Sequence, residues 1–282
     1  MSEATLAIEA STPTPISAPT QTSTSPESGN DTKVSTEVPM AKTYEQWIEE
    51  IDMESENADC DKDALLVKTK EFSKLFNGDS NGEITWRLAR NAYKAAAVAE
   101  ALGDKDKQKS LLLEAEVYIK KALELDASKP DYHAWAAFIA GKLSDFAGRK
   151  ERIQRGHEIQ HHLDEAIKLK TTDAGVYYTY GRWCMEVAKL SWVERNLAAA
   201  LFSKPPEASY QDAVNKFVEA DKMRPDWRAN YFWMAKCYIN MKNNKKAIEC
   251  LDIGVKCTPK DEEDSTVEGE LTTLQKKYAS YR

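Results

Sequence analysis

A chain of 282 residues with 42% hydrophobic residues can bury a substantial core, and its length admits one elongated domain or two compact ones. The formal charge of −7 is carried disproportionately by residues 1–40, which hold five acids and one lysine, and it excludes a global nucleic-acid binder. No apolar run nears the length of a signal core or a membrane span, and five cysteines form no CxxC pair, so a reduced cytosolic chain without a membrane span is expected.

Residues 1–40 are rich in Ser, Thr and Pro and nearly free of large apolar side chains, which predicts a disordered tail because ordering it would bury too little. Thr12-Pro13, Thr14-Pro15 and Ser25-Pro26 could accept phosphate, or the segment could be a plain spacer. Residues 41–282 read as one helical domain. Tyr44, Trp47, Ile48 and Ile51, then Leu65, Leu66, Phe72 and Phe76, predict two helices that cap its N-terminal end.

Four hairpins follow, each with the small and large side chains of a tetratricopeptide unit. In the first, Trp86, Ala89, Arg90 and Tyr93 pair with Ala115, Ile119 and Ala122; in the second, Trp135, Phe138 and Ile139 pair with Ile159, Leu163 and Ala166. In the third, Tyr177, Tyr180 and Gly181 pair with Ala213, Phe217 and Ala220. The 32 positions from Gly181 to Ala213 far exceed the usual spacing of about 12. Within the excess, Leu190, Trp192, Val193, Leu197, Leu201 and Phe202 recur at helical spacing before Pro205-Pro206, which predicts that the first helix runs on and buries more apolar surface in a taller hairpin. The fourth hairpin is the most regular, with Tyr231, Ala235 and Tyr238 in its first helix and Ala247, Leu251 and Gly254 in its second, stopped by Pro259. Asp261–Asp264 reads as a solvated linker, and Ser265 with Glu268 as a capping box ahead of a last helix through Leu271, Leu274 and Tyr278. The fold class is therefore all-α, a solenoid of about four irregular tetratricopeptide-like hairpins between capping helices, because each repeat buries its face only against a neighbour.

Three regions are candidates for function. His157-Glu158-Ile159-Gln160-His161 fits the HExxH pattern of zinc hydrolases, with Glu186 the only convenient third ligand. Ile159 already belongs to the repeat core and no phosphate loop, nucleophile elbow or dinucleotide fingerprint accompanies the motif, so neither an enzyme nor a cofactor or metal is expected. The hairpin from Gly141 to His162 carries Lys142, Arg149, Lys150, Arg152 and Arg155 against three acids, a basic surface suited to flexible acidic chains such as tubulin tails. The concave groove should be lined by the first helices, with Arg87, Asn91 and Lys94, then Tyr178, Arg182 and Met185, then Phe232, Lys236 and Ile239. This mixture suits an acidic peptide or, alternatively, a phospholipid for binding or transfer. The carboxylate clamp of chaperone-binding repeats is not reproduced, since Ala137, Gly175 and Thr179 stand at its positions. Trp183, Trp192, Trp227 and Trp233 read as packing residues.

The strings GRKERIQRG (148–156), GRWCMEVAKLSWVERNLAAALF (181–202) and PPEASYQDA (205–213) resemble the regulator of microtubule dynamics proteins, from about residue 44 to 260. The resemblance implies degenerate tetratricopeptide-like repeats and a non-enzymatic scaffold on cytoplasmic and spindle microtubules, with partners among tubulin and spindle or mitotic regulatory proteins in chromosome segregation. Two departures from the family pattern are read: no membrane-inserting or organelle-targeting segment like that of longer relatives is expected in this chain, and its second repeat ends in Lys170-Thr171-Thr172 where a proline is usual.

Overall fold

The computed structural model describes residues 42–201, 206–260 and 262–282. The tail, with its three candidate phosphorylation positions, and Phe202, Pro205 and Asp261 lie outside the described residues. Twelve α-helices and two short 3-10 turns, with no strand among the described residues, make an all-α helical-repeat array.

The N-terminal pair is α1 (Tyr44–Glu56) and α2 (Lys62–Leu75). Thr43 and Gln46 cap α1 reciprocally, and Asp61 caps α2. Trp47 stacks on Phe72 at 5.7 Å between ring centroids, flanked by Tyr44 and Phe76, so aromatic packing locks this pair together.

The four hairpins fall where the spacing places them. They are α3 (Gly82–Ala101) with α4 (Lys105–Leu125), α5 (Pro130–Ser144) with α6 (Arg149–Lys168), α7 (Ala174–Lys189) with α9 (Tyr210–Met223), and α10 (Arg228–Asn240) with α11 (Asn244–Gly254). Pro130 sits at the start of α5, where its missing N–H costs nothing. The small and large positions of every second helix are buried: Ala115, Ile119 and Ala122 on α4; Ile159, Leu163 and Ala166 on α6; Ala213, Phe217 and Ala220 on α9; Ala247 and Leu251 on α11. Gly181 shows why a small residue is needed, since a Cβ there would lie 2.6 Å from the ring of Phe217.

Where a proline is usual after the second repeat, Lys170 adopts a left-handed φ of 62°. Its N–H bonds to the Ile167 carbonyl and that of Thr171 to Ala166, so α6 ends in a Schellman motif that proline, with φ near −65° and no N–H, could not make.

The extra residues of the third unit depart from expectation. α7 stops at Lys189; Leu190 turns extended, and a separate helix α8 (Trp192–Leu201) begins. Ala198 is its one buried residue, while Trp192 and Val193 are 77% and 55% exposed. The added apolar side chains therefore do not build a taller hairpin, and Trp192 is not a packing residue. The reason lies at the junction, where Ser191 and Glu194 cap each other and start a new helix on a new axis. Trp183 and Trp227 are buried and Trp233 is half-buried, as packing requires.

The last helix, α12 (Glu262–Tyr278), also differs from expectation. Ser265 lies inside it and does not cap it. Asp264 is no part of a solvated linker: it is fully buried and accepts from the N–H groups of Ala229 and Lys260, tying the helix start to α10. Val267 and Leu271 bury against the α10–α11 pair, with Leu271 against Gly254.

Two clusters of buried apolar side chains result, and α5 joins them. Tyr132, Ala136, Ile139 and Leu143 face the N-terminal core, whereas Ala134, Ala137 and Ala140 face the C-terminal one. A helix apolar on two sides is what burial between two layers demands.

Candidate functional site

The first helices α3, α5, α7 and α10 stand side by side, and α1 and α12 extend their row at either end. This row positions the expected groove residues, and its neighbours occupy them. Arg87 is 7% exposed and forms a bidentate pair with Asp52 of α1, at 2.9 and 2.7 Å, with Glu83 as a further partner. Arg90 lies 2.8 Å from the same carboxylate, and both guanidinium groups sit over the Trp86 ring. Burial pushes the Asp52 carboxyl up, but the hydrogen bonds and charge of Arg87, with Arg90, outweigh it and hold the group below its ordinary value. Asn91 is fully buried between Ser55 and Thr69, and Lys94 reaches Glu56 and the Ser55 carbonyl. These three residues are therefore the mortar between α3 and the N-terminal pair.

The other end is similar. The hydroxyl of Tyr178 donates to Glu263 of α12 at 2.6 Å, and Arg182 pairs with the same oxygen at 2.8 Å while its guanidinium lies 3.7 Å from the Trp233 ring centroid. Burial, then the charge of Glu263, raises the Tyr178 phenol well above its ordinary value, so it stays a donor. Lys236 pairs with Glu270 at 2.9 Å. Met185 and Phe232 are buried in the core, and Ile239 is half-buried. The repeat register locates these residues on the inner face, and the helices beside them decide which partners within the chain they meet.

Between these ends, Tyr93, Ala96, Ala97, Glu100, Gln108, Leu112 and Lys142 line a dent of about 140 Å³. Ligand pockets usually span about 300–1,000 Å³, so this dent is smaller than a usual ligand site.

The basic hairpin separates into two groups. Lys142 pairs with Glu100 at 2.7 Å, and Arg155 pairs with Glu116 at 3.0 Å and Glu151 at 3.1 Å, so both hold the hairpin to its surroundings. Arg149, Lys150 and Arg152 are exposed in the first turn of α6 and form no ion pair among the described residues. The neighbouring α8 comes close to them. The Trp183 indole N–H donates to the Gly156 carbonyl at 2.7 Å across the antiparallel α6 and α7. Seven residues on along α7 and seven back along α6, about 10 Å, bring Leu190 level with Arg149. Glu194 registers this nearness: its carboxyl lies below the ordinary value chiefly through Ser191 and in smaller part through the charges of Arg149 and Arg152.

The HExxH stretch lies on α6 as ordinary helix. Ile159 points into the core, Glu158 lies 3.9 Å from Arg155, and Glu186 pairs with Lys189. The residues do not converge on an ion, and no group of three or more His, Cys, Asp or Glu among the described residues is arranged to hold a metal. Three histidines do gather elsewhere, which sequence reasoning missed because His133 comes from α5. Its Nε2 contacts the Ala127 carbonyl and must carry the proton, which leaves His133 Nδ1 to accept from His162 Nδ1 at 2.9 Å; the His161 ring is 5.1 Å from that of His162. The five cysteines are free thiols, and burial pushes those of Cys184, Cys237 and Cys250 up to about 12, so they remain inert.

Solved helical-repeat structures share the fold. The chain matches a thermophilic TPR protein of Thermus thermophilus with a TM-score of 0.52 and 15% identity, over 85% of this chain and 98% of that one. It matches PilF of Pseudomonas aeruginosa with a TM-score of 0.54 and 12% identity, over 84% and 88%. Among sequences, it is 36% identical to Regulator of microtubule dynamics protein 3 of Xenopus laevis over 203 residues, 71% of this chain and 43% of that one. It is 28% identical to the human protein 2 over 84% of this chain and 58% of that one, and 30% identical to the Bos taurus protein 1 over 83% and 72%. The chain thus spans about half the length of several relatives it matches. Residues 47–279 match the family described as Regulator of microtubule dynamics protein 1-3, and the chain belongs to that family.

Proposed function

We propose that this protein acts in microtubule dynamics as a non-catalytic scaffold, on cytoplasmic and spindle microtubules, holding the polymer through the N-terminal turn of α6. Arg149, Lys150 and Arg152, exposed and without an ion pair among the described residues, carry this reading. Three cations within one turn suit a flexible acidic tail, to which guanidinium groups bind through forked hydrogen bonds. The polymer surface is not the concave row, whose bases are engaged by α1 and α12. Spindle or mitotic regulatory proteins would be carried on the outer faces of the array, and spindle localisation in dividing cells is the corresponding cellular test.

Co-sedimentation with microtubules tests the polymer contact. Pelleting should weaken as salt rises through the range where the Debye length falls below about 8 Å, and fall when the acidic tubulin tails are cleaved. The triple variant R149E/K150E/R152E should bind about tenfold or more weakly, with unchanged helix content. Equal pelleting of variant and wild type would overturn the assignment.

A further inference from the structure

The exposed face of α8 has no role in the fold or in the contact proposed above. Trp192, Val193, Asn196 and Ala200 share the solvent side of α8, whereas Leu197 and Leu201 are half-buried and turn with Ala198 towards the protein. Trp192 and Val193 are largely exposed, whereas Ala198, on the opposite side, is fully buried. Arg195 donates to the carbonyls of Leu190, Val187 and Ala188, which closes the open end of α7, and Ser191 with Glu194 caps α8. A helix capped at its start, with a tryptophan turned outward, presents apolar surface for contact. The level of Leu190 beside Arg149 then sets that face next to the exposed bases of α6.

We propose that α8 is the apolar half of the surface whose basic half is Arg149, Lys150 and Arg152, and that its occupant is an acidic polypeptide segment bearing a large apolar side chain. The inference rests on the function proposed above and names the chemistry of the partner at that site. Charge complementarity selects an acidic occupant. The arrangement favours a peptide over a bilayer: the exposed large apolar side chains of α8 are Trp192 and Val193, confined to the end of the helix beside the bases, while Arg195, the base on α8 itself, donates to backbone carbonyls. An anionic membrane would be met best by a longer apolar stripe with bases along both of its sides.

Two synthetic peptides test this: a run of glutamates carrying one phenylalanine, and the same run with serine in its place. Wild-type protein should bind the phenylalanine peptide about tenfold more tightly, a preference that added salt leaves intact while it weakens both. W192A/V193S should bind both peptides alike and keep the wild-type melting curve, since both side chains are exposed; R149E/K150E/R152E should lose both peptides. Equal binding of the two peptides by wild type, binding of neither, or a preference that survives in W192A/V193S would overturn the inference. So would W192A/V193S losing phosphatidylserine vesicles while keeping the peptide preference, which would assign α8 to a membrane. Failure of wild type to pellet with microtubules while the peptide preference holds would overturn the polymer reading alone.

Discussion

His162 illustrates how one buried titratable side chain couples stability to pH. Burial, then the charges of His133, His161 and Lys120, lowers its pKa to about 4, from an ordinary value of 6.5. The folded state thus resists a proton that the unfolded chain accepts. Stability from this source is complete above pH 6.5 and is lost as pH falls from 6.5 towards 4. Partial exposure moderates the effect to on the order of 2 kcal/mol. Urea midpoints measured between pH 7 and 4.5 should fall, and His162→Gln should make that fall shallower; identical slopes would show the group to be silent. Gly181 is a second decisive residue. Replacing it with alanine gains about 1 kcal/mol of helix propensity, but the new methyl would overlap Phe217, which is fully buried and cannot give way. The overlap should prevail, and Gly181→Ala is expected to lose about 1–2 kcal/mol in chemical unfolding.

Among the elements, the contact between α1 and α3 shows how helices of a repeat array are joined by more than apolar faces. Asp52 holds Arg87 and Arg90 together, and Asp52→Asn would leave two desolvated cations without their shared carboxylate. Glu83 still serves Arg87 and Asp52 is partly exposed, so the cost should fall below the 3–5 kcal/mol of a fully buried pair, at about 2–3 kcal/mol. Amide exchange in α1 should then accelerate while α10 and α11 keep their protection; uniform acceleration would mean that the array unfolds as one unit. α8 represents the opposite case, a helix capped at its start that turns Ala198 inward and leaves Trp192 and Val193 uncovered.

For the whole molecule, the two cores meet at α5, and the inner row of helices is closed at both ends by α1 and α12. A groove whose bases are paired internally has little left for an acidic ligand, which is the reason the proposed binding surface lies at the hairpin ends. There the sites are exposed, adjacent and chemically unlike, one basic and one apolar. This is the arrangement tested by sedimentation and by the peptide pair.

Helix existence, hairpin order and the buried small positions were legible in the residues themselves, because close helix packing admits so few side chains at Ala115, Ala166, Gly181 or Ala235 that their spacing announces the fold. The basic hairpin was legible as composition, though not its division into Arg149, Lys150 and Arg152, which are exposed, and Lys142 and Arg155, which are paired. Partners far apart in sequence made that division, as they did for Arg87 with Asp52, Arg182 with Glu263 and His133 with His162. The direction taken by α8 was likewise invisible in its periodicity, since an apolar stripe records which side chains share a face, and only the neighbouring helices decide whether that face is covered.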